Sequence, residues 1–101
     1  MTVVMRIIAK TRLMQMAKPW PEARGAVRDW HDLAAAASWS SPNAIRTSDP
    51  TASILANRRV VFNILGGRFR LVVKADYQEH KLFIRFFGTH AQYNNINAAE
   101  I

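Results

Sequence analysis

Arg59-Val60-Val61-Phe62-Asn63-Ile64-Leu65-Gly66-Gly67-Arg68-Phe69-Arg70-Leu71-Val72-Val73-Lys74 is the stretch from which the fold is read. Two runs of β-branched and aromatic residues flank a Gly-Gly pair, the composition of antiparallel strands over 59–64 and 68–74 joined by a tight hairpin. A third run, 81–87, continues the β pattern. Side chains alternate between the two faces of a strand. Phe69, Leu71 and Val73 therefore share one face, and Arg68, Arg70 and Lys74 the other. In the last strand the alternation sets Leu82, Ile84 and Phe86 against Lys81, Phe83, Arg85 and Phe87. Helices are expected over the apolar set, leaving Arg70, Lys74 and Arg85 on an open, concave face among aromatic neighbours.

Upstream, residues 3–8 are apolar and largely β-branched and predict a first strand. The apolar stretch beginning at Thr2 is too short for a signal sequence and is interrupted by Arg6. Thr11 is the expected N-cap of a short helix that ends before Pro19. Pro21 suits the first position of a second helix, because its ring presets φ. Ala23, Ala26, Val27, Trp30, Leu33, Ala34 and Ala37 recur there at three- and four-residue spacing. Arg24, Arg28, Asp29 and Asp32 fall on the opposite side, and Gly25 costs the helix about 1 kcal/mol. Residues 38–57 are rich in Ser, Pro, Asn and Thr, which predicts a helical turn after Pro42, Ile45 turned inward, and a mobile remainder. Gly88-Thr89 ends the sheet and caps a last helical turn over 90–96. The order β-α-α-β-β-β gives an α+β domain, a twisted and mainly antiparallel sheet with two helices on one face.

A chain of 101 residues suits one domain, 1–101. Half the residues are apolar, enough for a core and too many for intrinsic disorder. The absence of cysteine excludes disulfides, thiolate metal sites and a cysteine nucleophile, and fits a cytoplasmic protein. Charge is the strongest compositional signal. Fourteen Lys and Arg against seven Asp and Glu give a formal +7, an excess that attracts polyanions. Between Arg58 and His90 seven basic residues (Arg58, Arg59, Arg68, Arg70, Lys74, Lys81, Arg85) face only Asp76 and Glu79. Three cations on one sheet face without compensating carboxylates call for an anionic partner, and guanidinium forks among aromatic rings suit single-stranded RNA.

Gly88-Thr89-His90-Ala91-Gln92-Tyr93 adds a second cluster. On a helical turn His90 and Tyr93 share a face and stand at the rim of the basic surface. RNA cleavage by its own 2′-hydroxyl needs proton removal, charge stabilisation at phosphorus and a proton for the leaving oxygen. A histidine near neutral pH supplies acid or base, arginines and lysines hold the charge, and a tyrosine orients or exchanges protons. His31 and His80 read as surface or helix-edge residues. Trp20, Trp30 and Trp39 read as core and hinge packing. Neither a metal nor another cofactor is expected, since three histidines and seven carboxylates lie scattered without ligand spacing.

From Pro50-Thr51-Ala52-Ser53-Ile54-Leu55 through the quoted hairpin to Phe83-Ile84-Arg85-Phe86-Phe87-Gly88-Thr89-His90-Ala91-Gln92-Tyr93, the chain resembles the HigB toxins of the RelE/ParE-like superfamily. The opening Met5-Arg6-Ile7-Ile8 is also similar. The resemblance implies a RelE-like fold and the toxin of a type II toxin–antitoxin pair. Such a toxin cleaves mRNA on the ribosome, at the A site of the 30S subunit, and is neutralised by a HigA-like helix-turn-helix antitoxin. The family pattern matches Arg59, Arg70, Lys74, Arg85, His90 and Tyr93. We expect His90 and Tyr93 to handle protons, Arg70 and Arg85 to hold the scissile phosphate, and Lys74 with Arg59 to position RNA, aided by Arg58, Arg68 and Lys81. Gln92 and Asn94 depart from the pattern, standing where many members carry Glu and Asp. Two other readings stay open: a ParE-like gyrase inhibitor, and a non-catalytic RNA- or ribosome-binding module.

Overall fold

A computed structural model describes residues 3–101. Strand β1 (Arg6–Ile8) leads into helix α1 (Lys10–Ala17). A 3-10 turn at Pro21–Ala23 then opens helix α2 (Arg24–Ala36), and helix α3 (Pro42–Ser48) follows. Strands β2 (Ser53–Ile54), β3 (Arg59–Ile64), β4 (Phe69–Asp76) and β5 (Lys81–Thr89) complete the sheet, and helix α4 (His90–Tyr93) closes the fold. The sheet order is β1-β5-β4-β3-β2, antiparallel except where β1 runs parallel to β5. The architecture is α+β, as the alternation of elements predicts, with one strand, β2, more than the sequence reading.

Several local expectations change. Val3 and Val4 are exposed and the first strand begins only at Arg6. Thr11 lies inside α1, whose N-cap is Ala9 without a side-chain hydrogen bond. Pro21 does start the second helical segment, as a 3-10 turn. Val27, Trp30 and Ala34 form the buried stripe of α2, whereas Leu33 at its margin is 50% exposed. The turn after Pro42 forms as α3 with Ile45 buried, and the segment after it adds a short strand: Ala52 is buried, and Ser53 and Ile54 pair with Val61 and Val60. Two residues of strand carry too short a pattern to read in advance. The hairpin is a four-residue turn, Leu65, Gly66, Gly67 and Arg68, with positive φ at the first three. Its two glycines take the left-handed conformation without strain.

The main core lies between the sheet and α1, α2 and α3. Phe62, Leu71, Val73, Leu82 and Ile84 from the sheet meet Leu13, Val27, Trp30 and Ile45 from the helices. Phe62 is at its centre, with Trp30 edge-on at 5.3 Å and Trp39 stacked at 5.9 Å. The Trp39 indole N–H donates to Ser48 Oγ at 3.0 Å, tying the loop before α3 to that helix.

A β-bulge changes the face assignment of β5. Val72 pairs with Phe86 and Val73 with Ile84, so Arg85 is an extra residue without a partner on β4. Two residues of one strand then oppose one of the other, and the alternation slips. Phe87 joins the main core and is 5% exposed, while Phe86 turns to the opposite face. This reverses the expected positions of Phe86 and Phe87.

The opposite face is also not fully open. Val61, Val72 and Ala98 form a second small core, with Leu55, Phe86, Tyr93, Ile96 and Ile101 packed against it. The segment after α4 crosses the sheet to reach β3. Asn57 Nδ2 donates to the Ala99 carbonyl at 2.9 Å, and Arg59 Nε to the Ile101 carbonyl at 3.0 Å.

Candidate functional site

Strand register lays out the face opposite the main core in rows. Arg59, Lys74 and Phe83 form one row, Val61, Val72 and Phe86 the next, and Asn63, Arg70 and Gly88 the third. The bulged Arg85 stands beside the first two rows. Among the described residues, the contacts of basic side chains with carboxylates within 4.0 Å are His31 with Asp32 and Arg68 with Glu22. Arg59, Arg70, Lys74 and Arg85 thus have no Asp or Glu partner within that distance. Cations held close on one face without counter-charge raise the local positive potential and favour an anionic ligand.

Aromatic rings support two of these cations. The Arg85 guanidinium sits 5.7 Å from the Phe83 ring centre, and that of Arg70 sits 5.9 Å from the Tyr93 ring. Both are within cation–π reach. Arg70 Nη1 also donates to the Gly67 carbonyl, which folds the side chain back over its own hairpin. A Cβ at Gly67 would stand 3.3 Å from the same nitrogen, so the glycine leaves room for Arg70 to curl in.

The last turn is held rigidly against the sheet. Thr89 caps α4 in a capping box: its hydroxyl accepts from Gln92 N at 3.1 Å, and Gln92 Oε1 accepts from Thr89 N at 3.0 Å. His90 N donates to the Arg68 carbonyl at 3.1 Å, fastening the helix start to the hairpin. Gly88 is required here, because a Cβ would collide with the Phe86 ring and Gln92 Oε1. His90 is exposed, and the Asn94 amide nitrogen faces its Nδ1 at 3.1 Å. Asn94 thus occupies Nδ1 and leaves Nε2 as the ring nitrogen without a protein partner among the described residues.

The structure brings His90, Tyr93 and Arg70 to one end of the sheet, with Arg85 and Lys74 following along the same face. The other basic candidates are tied down or stand off from that end. Arg59 is engaged by the carbonyls of Ile101 and Asn57, the latter at 2.7 Å. Arg68 belongs to the hairpin turn on the helix side, over the Phe69 ring at 5.8 Å and 4.0 Å from Glu22. It does not share the face of Arg70 as strict alternation predicts, because β4 begins only at Phe69. Lys81 starts β5 at the far end, eight strand steps, roughly 26 Å, from Thr89. Arg58, exposed in the turn before β3, is at that same far end, its carbonyl accepting from Ala75 N at 2.8 Å. Sequence reasoning missed Asn94 as a partner of His90, although its spacing of four on a helical turn is a readable signal. It also missed Gly88 as a close-approach glycine, which only the packing reveals.

These features define a small basic α+β domain with a histidine–tyrosine turn at one end of a cationic sheet face. A HigB toxin family model, described as a RelE-like toxic component of a toxin–antitoxin system, matches residues 23–96. The chain therefore belongs to the HigB toxin family and is the toxin of a toxin–antitoxin system. Membership implies an antitoxin partner. The match takes in α2 to α4 and the hairpin, and leaves β1 and α1 outside it. Comparison with curated proteins finds no match. No helix of the described residues is long and apolar enough to cross a membrane.

Proposed function

We propose that this toxin is a cytoplasmic endoribonuclease that cuts mRNA in the A site of the 30S ribosomal subunit and is silenced by a HigA-like helix-turn-helix antitoxin. The observation that carries the reading is the contact of Arg70 with Tyr93 beside the exposed His90. It lies on a face where Lys74 and Arg85 have no acidic partner within 4.0 Å among the described residues. In the reaction the 2′-oxygen attacks phosphorus, the new P–O2′ bond forms and the P–O5′ bond breaks. A 2′,3′-cyclic phosphate and a free 5′-hydroxyl result. His90 and Tyr93 move the two protons: one group takes the 2′-hydroxyl proton and the other supplies the 5′-oxygen. Nε2 of His90, the ring nitrogen that Asn94 leaves free, is the one that exchanges a proton with the RNA. Arg70 and Arg85 carry the charge that develops on the phosphoryl oxygens. Lys74 holds the adjoining backbone, with Arg58, Arg59, Arg68 and Lys81 adding long-range attraction.

Brief induction followed by 5′-end mapping of cellular mRNA tests this reading. New ends inside translated messages are expected, and His90→Ala is expected to reduce them about a hundredfold or more. Ends that persist in the variant shift proton handling to Tyr93. A message pool without new ends overturns the nuclease and leaves a gyrase inhibitor or a binding module.

A further inference from the structure

Beside the last turn lies a solvent-open cavity of about 420 Å³, with Trp20, Phe86, Phe87, Gln92 and Asn95 in its walls. It occupies the edge of β5 beyond the three residues that β1 covers, between the end of α1 and the start of α4. Its volume falls within the roughly 300–1,000 Å³ of small-ligand sites. Three elements build it. The bulge at Arg85 turns Phe86 away from the main core and toward this edge. Trp20, half-buried, is held edge-on by Phe69 at 5.7 Å and Phe87 at 6.1 Å, which fixes its ring. The amides Gln92 and Asn95 supply the polar wall.

The hydrogen bonds already made by these amides leave a defined pair of groups free. Gln92 commits Oε1 to Thr89 N, so its Nε2 remains a donor. Asn95 commits Nδ2 to the Ala91 carbonyl at 3.3 Å, so its Oδ1 remains an acceptor. Aromatic walls with one donor and one acceptor match a planar heterocycle that stacks and hydrogen-bonds at its edge. No charged side chain lines the cavity, so a phosphate or a charged peptide side chain would find no counter-ion there.

We infer that the cavity walled by Trp20 and Phe86 and edged by Gln92 and Asn95 receives an unstacked nucleobase of the RNA, next to the phosphate held at His90 and Arg70. The inference rests on the proposed RNA substrate and names the part of it that these residues read. Gln92 has two tasks, capping α4 through its oxygen and offering its nitrogen to the base.

Titration of the ¹⁵N-labelled protein with each of the four ribonucleoside 5′-monophosphates, and with ribose 5-phosphate as the baseless control, tests it. The nucleotides are expected to shift the Trp20 indole N–H and the Gln92 and Asn95 side-chain amides, whereas ribose 5-phosphate leaves these signals in place. Asn95→Ala is expected to weaken the preferred nucleotide about threefold to tenfold, the effect of one neutral hydrogen bond. Trp20→Leu is expected to weaken all four. Asn95 is exposed and outside both cores, so its variant keeps the test decisive should Trp20→Leu unfold. Shifts equal for ribose 5-phosphate, or none for any nucleotide, overturn the inference. Because the titration requires no cleavage, a base site that fails and a nuclease that fails give separate results.

Discussion

Asn94 illustrates how one neutral side chain can orient a histidine. Its amide nitrogen, 3.1 Å from His90 Nδ1, holds the ring and leaves Nε2 free. Asn94→Ala is expected to lower the proposed RNA cleavage about fivefold, the worth of one hydrogen bond, with no loss of melting temperature because the pair is exposed. Asn94→Asp keeps a hydrogen-bond partner at Nδ1 and is expected to retain most of the rate. An unchanged rate in Asn94→Ala means that the hydrogen bond is incidental to catalysis. Tyr77 makes the second residue-scale prediction. Burial raises its phenol pKa above the ordinary 10.0. The unfolded chain loses that proton first, so above about pH 10 the folded state holds more protons and stability falls as pH rises. The contribution is fully present below that pH and is lost as pH passes through the folded value. Thermal melts between pH 9 and 11 should show the decline, and Tyr77→Phe should blunt it.

At the scale of elements, β5 combines two registers. Its first half follows simple alternation, with Leu82 and Ile84 in the main core and Phe83 opposite. The extra Arg85 then lets Phe86 and Phe87 exchange the faces that alternation assigns them. Removing Arg85 would leave Ile84, Phe86 and Phe87 in regular alternation with their present faces. The deletion is therefore expected to fold with a cooperative melt while losing the proposed cleavage, because the guanidinium proposed to hold the phosphate is gone and the local twist of the bulge is relaxed. Failure to fold would mean that the bulge is needed to pack the Trp20, Phe69 and Phe87 rings. The strands of the hairpin and the cap at Thr89 were legible because their signals are local: β-branched runs, paired glycines, and a Thr three residues before a Gln. The N-cap at Thr11 was a local signal that the structure does not use. There the chain enters α1 straight from β1, and Ala9 stands at the cap.

On the scale of the molecule, a formal +7 is spread unevenly, and the sheet face opposite the main core carries unpaired cations along much of its length. If Arg70, Lys74 and Arg85 each meet a phosphate, affinity for a single-stranded RNA should fall by about 2 log units per log unit of salt, at roughly 0.7 per contact. Arg85→Gln should reduce that slope by about 0.7. A flat salt dependence in filter or anisotropy titrations would remove the face from RNA binding. Part of that face is roofed by the segment carrying Ile96, Ala98 and Ile101, which engages Arg59 through a backbone carbonyl. Arg59 is thus an anchor for this segment as well as a positive charge.

Sequence alone determined the α+β class, the central hairpin, the inward stripe of α2 and the His90–Tyr93 turn. It also carried the charge excess and the resemblance that the family match bears out. Each of these depends on residues near one another in the chain, where periodicity and capping act. Tertiary structure decided which of Phe86 and Phe87 enters the core, that Arg68 turns to the helix side, and that Arg59 is tied to Ile101. It also decided that Trp20 and Asn95 share a cavity. Those outcomes depend on strand pairing and on contacts between segments far apart in sequence. A single unpaired residue, Arg85, reverses every face assignment downstream of it, and local alternation cannot register its presence.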